Sequence, residues 1–181
     1  MEKTSLNCRY ISAKAFVDLC QDIGLSGGVA DSPFGPVMIR MLGNAVCGLG
    51  FMADPPLKAR ELPIFAQDYK VDSYICQEII DRISQQQPIS ILLAGTAFQH
   101  QVWHHLQHIK PGQTISYQGL AKALGDVKKT RAVASAIARN PVSWLIPCHR
   151  VIPKDKGIGH YLWGSAIKDK LLKSEGLFLC P

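Results

Sequence analysis

The chain has 181 residues, of which 47% are apolar and 19% charged. That composition excludes a disordered chain and fits one large domain or two small ones. No apolar run reaches the roughly 18 residues a membrane helix needs, and the start, MEKTSLNCRY, lacks the apolar core of a secretion signal; a soluble, cytoplasmic protein is expected. The formal net charge of +6 is unevenly spread: residues 1–90 carry 8 Lys/Arg against 10 Asp/Glu, and residues 91–181 carry 12 against 4. A half with a net charge of +8 suits a polyanionic partner, although a solvated basic surface has the same composition.

The first half reads as a mixed α/β unit with a scaffolding role. Ala13 to Ile23 has the pattern of a helix. Pro36 to Arg40 and Ala45 to Phe51 are strand-like and interrupted by glycine. Pro55, Pro56 and Pro63 mark loops. Residues 74–84 return to helical spacing, with Ile75, Ile79, Ile80 and Ile83 on one side. QQQP at 85–88 reads as a linker, which sets domains at 1–88 and 92–176.

In the second half Thr96 is a natural N-cap for a helix to about Ile109, with Phe98, Val102, Leu106 and Ile109 on its core face. Trp103 is expected in the core. KPGQ at 110–113 turns the chain. Tyr117 to Leu124, stopped at Gly125, and Lys129 to Arg139, stopped at Asn140-Pro141, form a helix-turn-helix candidate over 117–139. On the second of these helices Val133 and Ile137 face inward. Arg131, Ser135 and Arg139 face outward at i, i+4 and i+8, among Ala132, Ala134, Ala136 and Ala138. So thin a helix can enter a groove closely and set its arginines against phosphates or bases. The same wheel also describes a surface helix with two solvated arginines.

Six cysteines occupy positions 8, 20, 47, 76, 148 and 180 with no CxxC pair, so free thiols are expected and no metal is. The face of His100, His104 and His108 has no Glu or Cys beside it and reads as solvated. Cys148 differs from the other cysteines. It lies in IPCHRVIP, 146–153, with His149 and Arg150 adjacent, and a thiol needs such neighbours to act as a nucleophile at neutral pH. The two prolines predict a rigid, extended backbone on which Cys148 and His149 point to opposite faces, so that any proton transfer between them passes through a water or a bend. Residues 165–175 read as a helix ended by Gly176, with Ile167, Leu171 and Leu172 as its stripe and Glu175 on the core side. Glu175 is then either a frayed helix end in water or a buried carboxylate that needs a partner such as His149.

The ordered set GTAFQHQVW (95–103), TISYQGLAKALG (114–125), RAV (131–133), NPVSWLIPCHRV (140–151), YLWG (161–164) and KLLKSEG (170–176) resembles the O6-alkylguanine-DNA alkyltransferases, and SPFG (32–35) suits that family's N-terminal segment. The resemblance implies a ribonuclease-H-like α/β domain followed by a mainly helical domain with the helix-turn-helix. It implies direct repair of duplex DNA entered through the minor groove by a stand-alone monomer, with the damaged guanine flipped out and its O6-alkyl group moved once, irreversibly, to the protein. By that likeness Cys148 is the acceptor, His149 a base acting through water, and Glu175 its orienting carboxylate. Arg131 replaces the flipped base, flanked at the groove by Ala132, Ser135 and Arg139. Tyr117 presses on the 3′ phosphate and donates to the leaving guanine. Asn140 holds the turn, Val151 and Cys148 offer carbonyls to the guanine amino group, and Tyr161 and the Leu162 N–H line the pocket.

Three positions depart from common family patterns: Leu162 where some members have serine, Trp163 where some have glycine, and Ser143 for a frequent proline. The bulk of Trp163 is expected to narrow the pocket toward methyl groups. No cofactor is implied. The alternatives are a non-catalytic DNA-binding lesion sensor or transcription regulator, which would not need Cys148, and a cysteine hydrolase, which would not need a basic half.

Overall fold

The computed structural model describes residues 4–52, 64, 68–155 and 157–178; the prolines at 55, 56 and 63 lie outside these. It is a mixed α/β structure with six α-helices among the described residues. Strand β1 (Leu6–Ile11) is followed by α1 (Ala13–Ile23), β2 (Leu25–Ser32), β3 (Gly35–Leu42), β4 (Ala45–Phe51), β5 (Lys70–Val71), α2 (Ser73–Ser84) and β6 (Ile89–Ala94). These strands form one six-stranded sheet in the order β1-β6-β4-β3-β2-β5. The β2-β3-β4 meander is antiparallel, whereas β6 runs parallel to both β1 and β4. Sheet positions Val37, Ile39, Val46, Leu49, Phe51, Ile89, Ile91 and Leu93 are all at most 1% exposed. These β-branched and large apolar residues fill a sheet interior well.

Of the longer strands, three escape the sequence pattern, as do the two-residue strands. In β2 the glycines and polar residues of LSGGVADS mask the alternation. In β6 the apolar run ISILLA is nearly all buried and shows no alternation at all. β1 was masked by its polar residues Asn7 and Arg9. The expected linker at 85–88 is corrected by the same strand. Gln85–Pro88 is a tight turn, with Gln86 and Gln87 donating back to Ile83 and Arg82, and it leads straight into an interior strand of the sheet. SPFG is the turn between β2 and β3, closed by Ser32 Oγ donating to the Gly35 carbonyl at 2.5 Å.

The remaining chain is mainly helical. Helix α3 (Ala97–Gln107) begins at Thr96 with a full capping box to Gln99. It is followed by β7 (Ile115–Ser116), α4 (Tyr117–Ala123), a 3-10 turn at Val127–Lys129 and α5 (Thr130–Ala138). A second 3-10 turn at Cys148–Arg150 leads into β8 (Val151–Ile152), which pairs with β7 in parallel, and α6 (Ser165–Ser174) ends the described structure. Trp103 of α3 is 1% exposed and donates its indole N–H to the Ala136 carbonyl of α5 at 2.9 Å. No helix among the described residues is long and apolar enough to cross a membrane.

The helical part is joined to the sheet at β4. Leu49 donates to the Pro141 carbonyl and accepts from the Ser143 N–H, both at 2.9 Å. The Trp163 indole closes over the same strand at Gly50. A Cβ on Gly50 would stand 2.1 Å from the Trp163 ring, so glycine is required for close approach rather than for backbone freedom. Gly50→Ala is therefore expected to destabilise the protein by about 1–3 kcal/mol through overpacking, read as a lowered urea midpoint. An unchanged midpoint would mean that the indole moves aside freely.

Candidate active site

Helix α6 delivers the charged centre of the site. Its core stripe, Ile167, Leu171 and Leu172, is at most 4% exposed, and burying this stripe turns the C-cap residue Glu175 inward. The Glu175 side chain is 9% exposed and meets two neighbours from the Cys148–Arg150 turn. His149 Nε2 donates to Oε1 at 2.9 Å, while Arg150 Nη2 and Nε reach Oε1 and Oε2 at 2.8 and 3.0 Å. Arg150 also donates Nη1 to the Ile109 carbonyl, and Gly112 N–H reaches Glu175 Oε2 at 3.4 Å. Burial alone would raise the Glu175 carboxyl, but the hydrogen bonds and charges of His149 and Arg150 bring it down to about 2. Of the two readings of Glu175, the buried and partnered one is what the structure contains.

His149 is fully buried, and burial lowers its pKa against the opposing pull of Glu175, so the ring is neutral at pH 7. With Nε2 carrying the proton toward the carboxylate, Nδ1 is left with a lone pair. That atom is buried and takes no protein partner.

The thiol lies on the other side of the turn. Cys148 is 6% exposed and lines a cavity of about 470 Å³ with Tyr117, Ala138, Asn140, Ser143 and Tyr161 among its walls. Asn140 organises this wall. Its Nδ2 donates to the Ile146 carbonyl at 2.9 Å and to Cys148 Sγ at 3.1 Å, and its Oδ1 accepts from Val142 N–H at 3.1 Å. Burial pushes the Cys148 thiol up, and Asn140, Tyr161, Lys168 and Ser143 pull it back in part. The Tyr161 hydroxyl is sealed from solvent beside Ser143 and the thiol, and burial raises its phenol well above the ordinary value. Tyr117 is half-buried, its phenol raised by burial and by the neighbouring sulfur.

Two sequence expectations are corrected here. The backbone at Cys148–Arg150 is a 3-10 turn rather than extended, because Val151 N–H closes back on the Cys148 carbonyl. Trp163 does not narrow the cavity: it is 1% exposed, packs on Gly50 behind the wall and donates its N–H to Ser143 Oγ at 2.6 Å. The cavity wall there is formed by Leu162, Tyr161 and His160 instead.

The outer face of α5 is continuous with this cavity. Arg131, Ala132, Ser135, Ala138 and Arg139 are exposed, Val133 and Ile137 are buried, and Ala134, Ile137 and Ala138 supply cavity wall. Val151 is fully buried, its carbonyl accepting from Lys168 Nζ at 2.7 Å. Lys168 and the partnership of Arg150 with Glu175 were not anticipated. The only sequence signal for Lys168 is its place one residue after Ile167, at the edge of an apolar stripe. Of the histidines, His104 and His108 are exposed, while His100 is half-buried against Tyr10 and Trp103. Among the described residues no group of three or more His, Cys, Asp or Glu is placed to hold a metal, and Cys20, Cys47, Cys76 and Cys148 are free thiols.

Residues 97–177 match the family model described as 6-O-methylguanine DNA methyltransferase, DNA binding domain. The chain is 32% identical over 160 residues to a methylated-DNA–protein-cysteine methyltransferase of Methanosarcina acetivorans, covering 82% of this chain and 96% of that protein. It is 34% identical to the bifunctional transcriptional activator/DNA repair enzyme Ada of Escherichia coli, over 91% of this chain and 49% of that protein. It thus spans about half the length of the Ada relatives it matches. Among solved structures it is similar to the Mycobacterium tuberculosis OGT crystallised in complex with DNA, with a TM-score of 0.71 at 28% identity over 83% of this chain and 93% of that one. The O6-methylguanine-DNA methyltransferase of Pyrococcus kodakaraensis gives 0.61 at 28% identity, over 84% and 99%. The chain belongs to the methylated-DNA–protein-cysteine methyltransferase family.

Glu175→Gln is expected to lower stability at neutral pH by on the order of 3 kcal/mol, because it removes the charge that His149 and Arg150 share. A carboxyl held at about 2 against an ordinary 4.5 stabilises the fold above pH 4.5, and this is lost as pH falls toward 2. Acid unfolding followed by circular dichroism should show that limb in the wild type and a flatter one in the variant.

Proposed function

We propose that the protein repairs O6-alkylguanine in duplex DNA by moving the alkyl group to Cys148, once per molecule. The single observation that carries this reading is a buried thiol lining an open cavity beside an exposed, arginine-bearing helix face, with a neutral imidazole and a buried carboxylate behind it. A sulfur so buried cannot meet a base within a stacked duplex, so the base must leave the stack. In the transfer the thiolate attacks the alkyl carbon, the S–C bond forms and the C–O6 bond breaks. The guanine gains a proton and the cysteine becomes a neutral thioether, with no leaving reaction to regenerate it.

The roles proposed for the residues are these. His149 Nδ1, with its lone pair, takes the thiol proton through a water, and Glu175 holds the ring in the required tautomer. Asn140 fixes the sulfur in place. Tyr117 presents its hydroxyl to the leaving base and presses on the 3′ phosphate, and Tyr161 walls the pocket. The Cys148 carbonyl and the Leu162 N–H meet the guanine edge, whereas the Val151 carbonyl, expected there from the family likeness, is buried and taken by Lys168. Tyr117–Arg139 is a helix-turn-helix whose second helix, α5, enters the minor groove. There Arg131 fills the space of the flipped base and Ala132, Ser135 and Arg139 meet the backbone. The sheet layer, by the same reading, is ribonuclease-H-like and ends after β6, and the protein works as a cytoplasmic monomer. A lesion sensor or regulator would account for α5 but not for a buried His149–Glu175 couple directly behind the Cys148 thiol.

Incubation with DNA carrying O6-methylguanine should add a single methyl group to Cys148, seen by peptide mass spectrometry, and transfer should stop at one per protein. Repeated turnover, or a methyl on another cysteine, would sink the proposal. Arg131→Ala should slow transfer from duplex DNA by more than tenfold while sparing transfer from a free modified base; equal loss on both would exclude the base-replacement role. A difference of that size corresponds to about 1.4 kcal/mol of lost stabilisation of the flipped state.

A further inference from the structure

The face of α3 that the sequence presents as three solvated histidines is in the structure a pair. His100 turns inward, its ring 5.0 Å from that of Tyr10 and 5.8 Å from that of Trp103, with its Nε2 sealed from solvent. His104 and His108 stay exposed at the end of the helix, one turn apart, and His108 is its C-cap. Their ring centres are 4.7 Å apart. The function proposed above uses neither.

Two details distinguish this pair from a solvated surface. The first is the tautomer of His108. Its Nδ1 lies 2.9 Å from the His104 carbonyl. A carbonyl can only accept, so Nδ1 carries the proton and Nε2 keeps its lone pair. A carbonyl behind the ring is a common support of a metal-binding histidine. The second is the spacing. An imidazole nitrogen binds a zinc-like ion at roughly 2.0–2.1 Å, which sets the centres of two rings sharing one ion about 4.5–5.3 Å apart, from octahedral to tetrahedral angles. The observed 4.7 Å falls inside that range, and the rings are tilted by 52° rather than stacked flat, so their edges can converge. His105 does not meet the same condition: its ring stands 6.3 Å from that of His104.

We propose that His104 and His108 form a two-histidine site for a borderline divalent transition-metal ion, of the zinc, nickel or copper(II) class, with water in its remaining positions. Among the described residues no third His, Cys, Asp or Glu joins such a group, so the site is open and exchangeable rather than a closed structural cage. A bound ion clips the last turn of α3. From that turn the chain runs directly to the Ile109 carbonyl, which accepts from Arg150, and to the Gly112 N–H, which reaches Glu175. The site itself depends on neither Cys148 nor DNA.

Calorimetric titration of the untagged protein with Ni2+ should show a single saturable site. His104→Ala and His108→Ala should each weaken it by about tenfold or more, whereas His105→Ala and Cys148→Ser should leave it within about twofold. Absence of saturable binding in the wild type overturns the proposal. So does binding that survives His104→Ala, or binding that is lost in Cys148→Ser and therefore belongs to the thiol. An ion held by the native state raises the unfolding midpoint. The urea midpoint of the wild type should thus rise with added Ni2+ and that of His104→Ala should not; an equal rise in both overturns the assignment. Failure of methyl transfer from O6-methylguanine DNA would refute the repair reading and leave this site standing.

Discussion

The site depends on one buried carboxylate. Glu175 is nearly sealed from water at the end of α6, and so isolated a charge requires partners of opposite sign or strong donors. It finds them in two consecutive residues, His149 and Arg150. On an extended strand those side chains would point to opposite faces. A 3-10 turn advances about 120° per residue, which lets both flank one carboxylate while Cys148 faces the third direction, toward the cavity. The local backbone conformation is thus the one that satisfies the carboxylate and exposes the sulfur at once. The same carboxylate reaches Gly112, so the turn after α3, the cysteine turn and the C-terminal helix all meet at one point.

A second set of contacts fixes the cysteine turn to the sheet. Residues 141–143 hydrogen-bond to Leu49 of β4, Trp163 covers Gly50 next to it, and the same indole holds the Ser143 hydroxyl at the cavity wall. Trp144 adopts a left-handed φ of 69° between these anchors. For a bulky residue this conformation is strained and persists only where the surroundings impose it; here the Leu49 hydrogen bonds on one side and the Asn140 clamp on the other do so. The sheet, which contributes no residue to the cavity, therefore sets the position of the wall.

Elements with one dominant signal were legible in the sequence. The six described helices announce themselves by caps, glycine stops and apolar spacing, and the N-cap read at Thr96 is in the structure a full capping box with Gln99. Strand β6 was not legible because a strand buried on both faces carries no alternation, so 85–88 read as a linker where the structure has a tight turn into an interior strand. The cysteine turn failed for a different reason. Pro147 argues for an extended neighbour locally, but the pull of Glu175 on two adjacent side chains is a tertiary effect that no window around Cys148 contains. Trp163 was misplaced for the same reason: its bulk was visible, but the glycine opposite it lies more than a hundred residues away.

Helix α5 shows why so many small residues occur together. Its Val133 and Ile137 anchor it to the core, Arg131, Ser135 and Arg139 face outward, and Ala134 and Ala138 lie between, forming cavity wall. A larger side chain at either alanine would stand in the passage between the outer face and the sulfur. The run of alanines therefore serves approach on one side and access on the other, and a helix read only for groove fit would explain half of it. With both, the basic half of the chain acquires a direction. Under the proposed function its charge favours a polyanion at the α5 face, whose Ala134 and Ala138 line the cavity of Cys148.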